Sequence, residues 1–219
     1  MFCRLSDEPG ARGVGAVLVE ADTPGLRFGA QEQLMGWRGI SSADIHLDEV
    51  RVPKENLLMD AGGFAKLMGA FNLERCGNAT MSLGISVGAL REAKAYIQER
   101  AQFGKPLIDF QAVQLRLAEM AIKVDATRLL IYRATSSKGA DGFPDNYPTL
   151  IAKCFANESV RDVAGAGVQL MGGYGYAKEY GMEQRLRDGW GWGIAGGSID
   201  IQKVNISAAI ASRRFDQRR

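Results

Sequence analysis

The segment ERAQFGKPLIDFQ, residues 99–111, joins two long helical patterns through one short loop and therefore predicts a helical fold. Arg100 ends the first pattern, Gly104-Lys105-Pro106 breaks the periodicity, and Gln111 opens the second pattern. An arginine beside a loop can bind a pyrophosphate through its guanidinium fork, and a glutamine can bond a ring edge or a phosphate. The alternative that the residues leave open is a plain loop between helices with a solvated arginine.

Helical periodicity extends on both sides of this loop. Before it, apolar residues recur at spacings of three, four or seven, at Leu83, Val87, Leu90 and Ile97. After it, a second apolar stripe contains Val113, Leu117, Met120, Val124 and Ile131. Two long amphipathic helices connected by a short loop predict neighbours in a helical bundle.

The C-terminal third continues the helical pattern. We predict a third helix from about Thr149 to Met171, stopped by Gly172-Gly173, and a last helix from about Ser198 to Arg214. Between them, residues 189–197 are rich in glycine and predict a loop that carries Trp190 and Trp192.

The first sixty residues have strand rather than helix signals. Val14 to Val19 is rich in β-branched residues, and Ala43, Ile45 and Leu47 alternate with polar neighbours. We therefore predict a partial β-domain over residues 1–60 and a helical bundle over residues 61–219. A sheet that opens almost at residue 1 has no visible partner strands before it, which indicates the C-terminal part of something longer.

Composition excludes several classes of protein. A net charge of +2 provides no field for nucleic acid or an anionic membrane surface, and no apolar run is long enough to span a bilayer. The three cysteines lack CxxC spacing, so neither a disulfide scaffold nor a metal site is predicted. Residues 1–10 contain no apolar segment typical of a secretory signal, so none is predicted, and a reducing compartment is expected.

Five motifs in the same order resemble those of the acyl-CoA dehydrogenase family. Residues 99–111 resemble its R-x-x-F-G-x-x-L-x-x-x-Q signature. The other four lie at residues 22–25 (D-T-P-G), 50–58 (V-x-V-P-x-x-N-L-L), 169–176 (Q-x-x-G-G-x-G-Y) and 187–188 (R-D). Together they are spread along nearly the whole chain, from residue 22 to residue 188. The resemblance implies a mainly α fold, a C-terminal four-helix bundle preceded by part of a β-domain, with the family's N-terminal helical domain missing.

The resemblance also implies a flavin cofactor, FAD, and assigns residues to it. Those that would contact the flavin dinucleotide held by a neighbouring subunit are Arg100, Gln102, Phe103, Gln111, Gln169, Leu170, Gly172 and Gly173. Ser198 and Asp200 match positions that touch the cofactor from the same chain, and Asn72 and Arg75 match positions at the CoA-ester end of the pocket.

The expected reaction needs a base, because dehydrogenation removes a weakly acidic α-proton from a thioester. Many family members carry a glutamate in an E-G-T motif after the R-D, but here Gly196, Gly197 and Ser198 occupy those three positions. The resemblance implies that the backbone N–H of Gly196, together with a flavin ribityl hydroxyl, still polarises the thioester carbonyl, and that Gly197 contacts the substrate. Relatives similar to isovaleryl-CoA and long-chain acyl-CoA dehydrogenases place the base in an L-E-R motif, which Glu74 and Arg75 match. We predict Glu74 as the base; the plainer alternative is a surface glutamate paired along its helix.

The resulting hypothesis is an FAD-dependent dehydrogenase that converts an acyl-CoA to a 2-enoyl-CoA. Its implied partners are the acyl-CoA, an electron-transfer flavoprotein and further copies of itself in a homodimer or homotetramer. Its implied location is the bacterial cytoplasm or the mitochondrial matrix. The alternatives are another acyl-CoA flavoenzyme, such as an enoyl-CoA reductase or a desulfinase, and a non-catalytic assembly module that needs a flavin-binding partner.

Overall fold

A computed structural model describes residues 1–139, 141–213 and 215. The chain divides into two compact units. The first comprises Met1–Leu34 and Arg38–Phe71, and the second comprises Met35–Trp37 and Asn72–Arg219. Among the described residues, no helix combines the length and the apolar character needed to cross a bilayer.

The N-terminal part of the chain is built from short antiparallel strands. They are β1 (Phe2–Arg4), β2 (Val14–Val17), β3 (Leu26–Phe28), β4 (Ile45–Leu47) and β5 (Leu57–Met59). One sheet has the order β1-β2-β5, and β3 pairs with β4 in a second sheet, with Arg27 opposite His46. The predicted apolar face of the second sheet is present, but Ile45 and Leu47 are both exposed.

The remaining elements are helical apart from one small hairpin. They are α1 (Phe64–Glu99), the hairpin strands β6 (Ala101–Gln102) and β7 (Lys105–Pro106), α2 (Gln111–Ser136), α3 (Asn146–Met171), α4 (Gly173–Tyr176), α5 (Met182–Trp192) and α6 (Ile199–Ile210). The structure confirms the mainly α fold and the helix–loop–helix order predicted around residues 99–111. The last helix ends at Ile210, short of the predicted end at Arg214, which lies outside the described residues.

The bundle core collects residues from four helices. Buried side chains of α1, α2, α3 and α5 form one cluster: Ala89, Ala93, Ile97, Met120, Val124, Val163, Leu170, Met171 and Met182. The stripe predicted for α2 is confirmed, since Val113 and Leu117 pack against this cluster. The stripe predicted for α1 is wrong at Val87, which is 38% exposed. Ile97 is buried as predicted, and the rest of the buried apolar face of α1 consists mainly of small residues, such as Ala79, Ala89 and Ala93, which let α1 approach its neighbours closely.

The predicted loop containing Trp190 and Trp192 is also wrong, because both residues lie in α5. Glycines in α5 serve close packing rather than chain reversal. A Cβ on Gly189 would lie 3.2 Å from Val160 Cγ2, and one on Gly191 would lie 2.8 Å from the ring of Trp37. Tertiary contact therefore overrides the low helix propensity of glycine here.

The R-D motif fixes the segment 35–37 within the second unit. Asp188 Oδ1 accepts a hydrogen bond from the backbone N–H of Trp37 at 2.7 Å, and its carbonyl accepts one from the Trp37 indole at 2.9 Å. Arg187 Nη1 donates to the carbonyl of Met35 at 2.8 Å. These bonds hold Trp37 against Trp192, with ring centroids 3.9 Å apart.

Candidate active site

Glu74 and Gly196, which the sequence analysis took from two different motifs, lie next to each other in the structure. Glu74 lies on α1, and its carboxylate lies directly against the α-carbon of Gly196. A Cβ built on Gly196 would be 2.6 Å from Glu74 Oε2 and 2.7 Å from Oε1. Gly196 also has φ +65°, a conformation that favours glycine. The side chain of Glu74 is exposed in this chain, but it is directed at Gly196.

The turn that contains Gly196 is held from beneath by Lys153 of α3. The side chain of Lys153 is 0% exposed, and its Nζ donates to the carbonyl oxygens of Ala195 at 2.6 Å and Gly197 at 2.5 Å. Burial lowers the pKa of Lys153, while the nearby charge of Glu74 raises it. Gln202, the other fully buried polar side chain at the turn, donates to the carbonyl of Gly196 at 3.5 Å.

A chain of buried polar side chains continues from this turn into the helix interface. Asn78 donates to the carbonyl of Ala195 at 3.3 Å and accepts from Asn157 at 3.0 Å. The hydroxyl of Ser82 donates to Asn157 Oδ1 at 2.7 Å. Because buried polar groups are stable only when they are bonded, these contacts fix α1 and α3 at one register beneath the turn.

The two residues predicted at the CoA-ester end, Asn72 and Arg75, bond each other. Arg75 Nη1 donates to Asn72 Oδ1 at 2.8 Å, and Asn72 Nδ2 donates to the carbonyl of Pro144 at 3.0 Å. Burial lowers the pKa of Arg75, and the charge of Glu74 partly offsets this effect. Arg75 Nε is buried and has no hydrogen-bond partner among the described residues. The guanidinium is thus oriented by its helix neighbour and retains an unused donor.

Five of the predicted cofactor residues line one cavity of about 510 Å³. They are Arg100, Gln169, Leu170, Gly172 and Gly173. Gly172 ends α3 there with φ +59° and ψ −131°, a backbone region accessible essentially to glycine alone. Three tyrosines that the sequence did not single out also line the cavity: Tyr96, Tyr174 and Tyr180. Their rings pack edge to face.

The other predicted cofactor residues lie outside that cavity lining. Gln102 and Phe103 lie in the hairpin of β6 and β7, where Phe103 is 93% exposed and has φ +53°. Gln111 is the exposed first residue of α2. Ser198 caps α6, its Oγ accepting from the N–H of Ile201 at 3.4 Å, and Asp200 is exposed in the first turn of that helix.

Lys153, Asn78 and Gln202 were missed by the sequence analysis. One signal was available for Lys153. It falls in register with Leu150, Ala156 and Asn157 on the buried face of α3, where an isolated lysine breaks the apolar pattern. No sequence signal identifies its acceptors, because both are backbone carbonyls.

The comparisons with known proteins agree with one family. The model of the acyl-CoA dehydrogenase C-terminal domain matches residues 61–211. The CarC subunit of the caffeyl-CoA reductase-Etf complex of Acetobacterium woodii is 36% identical over 97% of this chain and 56% of its own length. The short-chain-specific acyl-CoA dehydrogenase of Clostridium acetobutylicum is 36% identical over 96% of this chain and 55% of its own length.

A solved structure shows the same architecture. Butyryl-CoA dehydrogenase from Megasphaera elsdenii superimposes with a TM-score of 0.90 at 33% identity, over 96% of this chain and 55% of that one. The chain thus spans about half the length of the curated relatives it matches. Because the family model covers residues 61–211 and the relatives match nearly the whole chain, the chain belongs to the acyl-CoA dehydrogenase family.

Proposed function

We propose that this chain is the base-carrying, C-terminal part of an FAD-dependent acyl-CoA dehydrogenase, which converts an acyl-CoA to the 2-enoyl-CoA. The observation that carries the proposal is the carboxylate of Glu74 against the α-carbon of Gly196. That is where the family's usual base would begin. A carboxylate supplied from α1 thus reaches the position left empty by the missing side chain.

The residues around the 510 Å³ cavity fit one part of the cofactor. Arg100 offers a guanidinium fork for a pyrophosphate, and Gln169 offers an amide for a ribose or a base edge. Gly172 and Gly173 bring backbone close to a ligand, since a Cβ at either position would enter open space. We propose that these residues, with Gln102 and Phe103 of the exposed hairpin and Gln111, hold the FAD of a second subunit. Ser198 and Asp200 hold the FAD of their own subunit.

The proposed chemistry divides between a proton acceptor and a hydrogen-bond donor. Glu74 takes the α-proton of the thioester, and the N–H of Gly196 donates to the thioester oxygen as negative charge develops there. Bound FAD supplies the acceptor for the hydride that leaves the β-carbon. Asn72, Arg75 and Gly197 line the ester end, where the hydrogen bond to Asn72 orients the Arg75 guanidinium. The bound acyl chain excludes water from Glu74, which is exposed in this chain.

A second candidate is the reverse reaction, the reduction of an enoyl-CoA. It is favoured by the similarity to CarC, a subunit named for caffeyl-CoA reduction. The same residues would serve it, because the group that takes the α-proton in one direction returns it in the other. The name of CarC also contains an electron-transfer flavoprotein, Etf, and we propose such a protein as the electron partner in either direction.

The flavin itself provides the test of function. We expect the purified enzyme to show flavin absorbance and to bleach under anaerobic conditions when a saturated acyl-CoA from a panel of chain lengths is added. A flavin that is bleached only by an external reductant, and then reoxidised by an enoyl-CoA, would favour the reductase. A protein that binds no flavin, even after reconstitution with FAD, would contradict both the dehydrogenase and the reductase. The non-catalytic assembly module would then be the remaining alternative.

An exposed apolar stripe on α2 supports the proposed homo-oligomer. Leu115, Ile122 and Leu129 recur every seven residues and are 61%, 67% and 59% exposed. The opposite face of α2, with Met120 and Val124, already packs in the bundle core. A heptad-spaced stripe that the described residues leave uncovered fits a partner helix of another copy.

The variant Ile122→Asp tests this stripe. We expect it to weaken self-association at least 100-fold, because burying an unpaired carboxylate in a helix interface costs several kcal/mol. Sedimentation velocity over a concentration series measures the change. Leu18→Asp, at an exposed apolar residue of the first unit, is the control and is expected to leave the assembly unchanged. A wild-type protein that sediments as a monomer would contradict the proposed homo-oligomer.

A further inference from the structure

The turn at residues 195–197 has all of its carbonyl oxygens bonded from the protein interior. Lys153 Nζ donates to the first and the third, and Gln202 Nε2 donates to the middle one. Both donors are 0% exposed. Two buried side chains thus bond three consecutive carbonyls. A surface turn does not require such bonds, since water satisfies its carbonyls equally well.

The bonded carbonyls determine where the amide groups of the turn point. The described residues contain no cis peptide, and in a trans peptide the C=O and the N–H point in opposite directions. The carbonyl of Ala195 is bonded to Lys153 and Asn78, so the N–H of Gly196 points away from those side chains. Within the described part of the chain, this N–H has no acceptor.

The free N–H of Gly196 lies close to the carboxylate of Glu74. Glu74 lies against the α-carbon of Gly196, the atom next to that N–H. An enolising site needs this pairing, because the donor stabilises the oxygen while the base removes the proton from the neighbouring carbon.

Resting on the proposed function, we infer that Lys153 is a positioning residue that aims the N–H of Gly196 at the thioester oxygen. It acts through the carbonyls of Ala195 and Gly197, on either side of the donor, and does not touch the substrate. A glycine turn is otherwise free to rotate its peptide planes, and rotation of one plane would turn the donor away from the substrate. The Lys153 bonds remove that freedom before substrate arrives, which is the preorganisation that makes a backbone donor effective.

The variant Lys153→Met tests the inference, because methionine fills a similar volume without donating. The probe is an acyl-CoA labelled with ¹³C at the thioester carbonyl, bound to the flavin-loaded enzyme and observed by isotope-edited infrared difference spectroscopy. We expect the wild-type enzyme to lower the carbonyl stretching frequency and Lys153→Met to lose at least half of that shift. We also expect kcat to fall about 100-fold, as for loss of one oxyanion donor, and KM to change less than about 3-fold.

Three comparisons separate positioning from general destabilisation. Glu74→Gln is expected to keep the infrared shift, since it removes the base and leaves the donor. Lys94→Met, at an exposed lysine of α1, is expected to change neither the shift nor kcat. Asn78→Ala removes the second donor to the Ala195 carbonyl and is expected to lose a smaller part of the shift, which preserves the test if Lys153→Met does not fold.

Carbon-detected NMR of the chain itself provides a readout without flavin. We expect the carbonyl resonances of Ala195 and Gly197 to move together in Lys153→Met, and the amide of Gly196 to exchange its proton rapidly in the wild type.

Some results would overturn the inference while the proposed function stands. They are an unchanged infrared shift in flavin-loaded Lys153→Met, or a loss of melting temperature and flavin content with kcat per bound flavin unchanged. A wild-type enzyme that binds no acyl-CoA overturns the proposed function and this inference with it.

Discussion

Glu74→Gln is expected to slow exchange of the substrate α-proton with solvent about 1,000-fold, which corresponds to about 4 kcal/mol of transition-state stabilisation. The amide has nearly the same shape as the carboxylate but cannot take a proton. Its side chain therefore still fits against Gly196, so substrate binding and flavin content are expected to remain as in the wild type. The effect on kcat should equal the effect on exchange, because both need the same proton transfer.

Deuterium exchange measures this prediction directly. An acyl-CoA analogue with sulfur in place of the β-carbon carries no hydride to lose, so proton exchange is observed without oxidation. Mass spectrometry of the recovered analogue gives the rate. Glu119→Gln, an exposed glutamate on α2, is the matched control and should exchange at the wild-type rate. Undiminished exchange in Glu74→Gln would place the base on another residue.

The order of the motifs predicted most of the fold, whereas the details depend on packing in the folded protein. The helices on either side of residues 99–111 follow from apolar spacing, which depends on local chemistry alone. Val87 and the two tryptophans of α5 were misplaced because small residues and glycines allow close approach, and only the folded neighbours reveal it. From the sequence alone, a glycine indicates a turn and a close packing contact equally well.

The candidate site shows the same division between local and distant information. Glu74 was predicted from an L-E-R motif and Gly196 from the residue that it lacks, and the structure brings the two together. A Cβ at 196 would lie 2.6 Å from Glu74 Oε2, so a side chain at 196 and the carboxylate of Glu74 would occupy the same space. Lys153 escaped prediction because it acts on carbonyls of the main chain, which are the same for every residue type.

The variant Gly196→Glu is expected to lose about 100-fold in kcat although it restores the family's usual glutamate. Its Cβ would lie 2.6 Å from Glu74 Oε2, and its backbone would have to keep φ +65°. Positive φ costs a residue with a side chain roughly 1–3 kcal/mol, and two carboxylates at one site raise the pKa of one of them.

The double variant Glu74→Gly/Gly196→Glu removes both the steric conflict and the charge repulsion, and leaves one carboxylate at the same place, now approaching from the other side. We therefore expect it to exceed the single variant Glu74→Gly in kcat by at least 10-fold. Gly142→Glu, at a glycine with φ +83° and open space around its Cβ, isolates the backbone strain and should retain wild-type kcat. Equal rates for the double variant and Glu74→Gly would mean that position 196 cannot carry a base in this protein. A fully active Gly196→Glu would contradict the predicted conflict between the two side chains, because both carboxylates would then occupy the site without loss of rate.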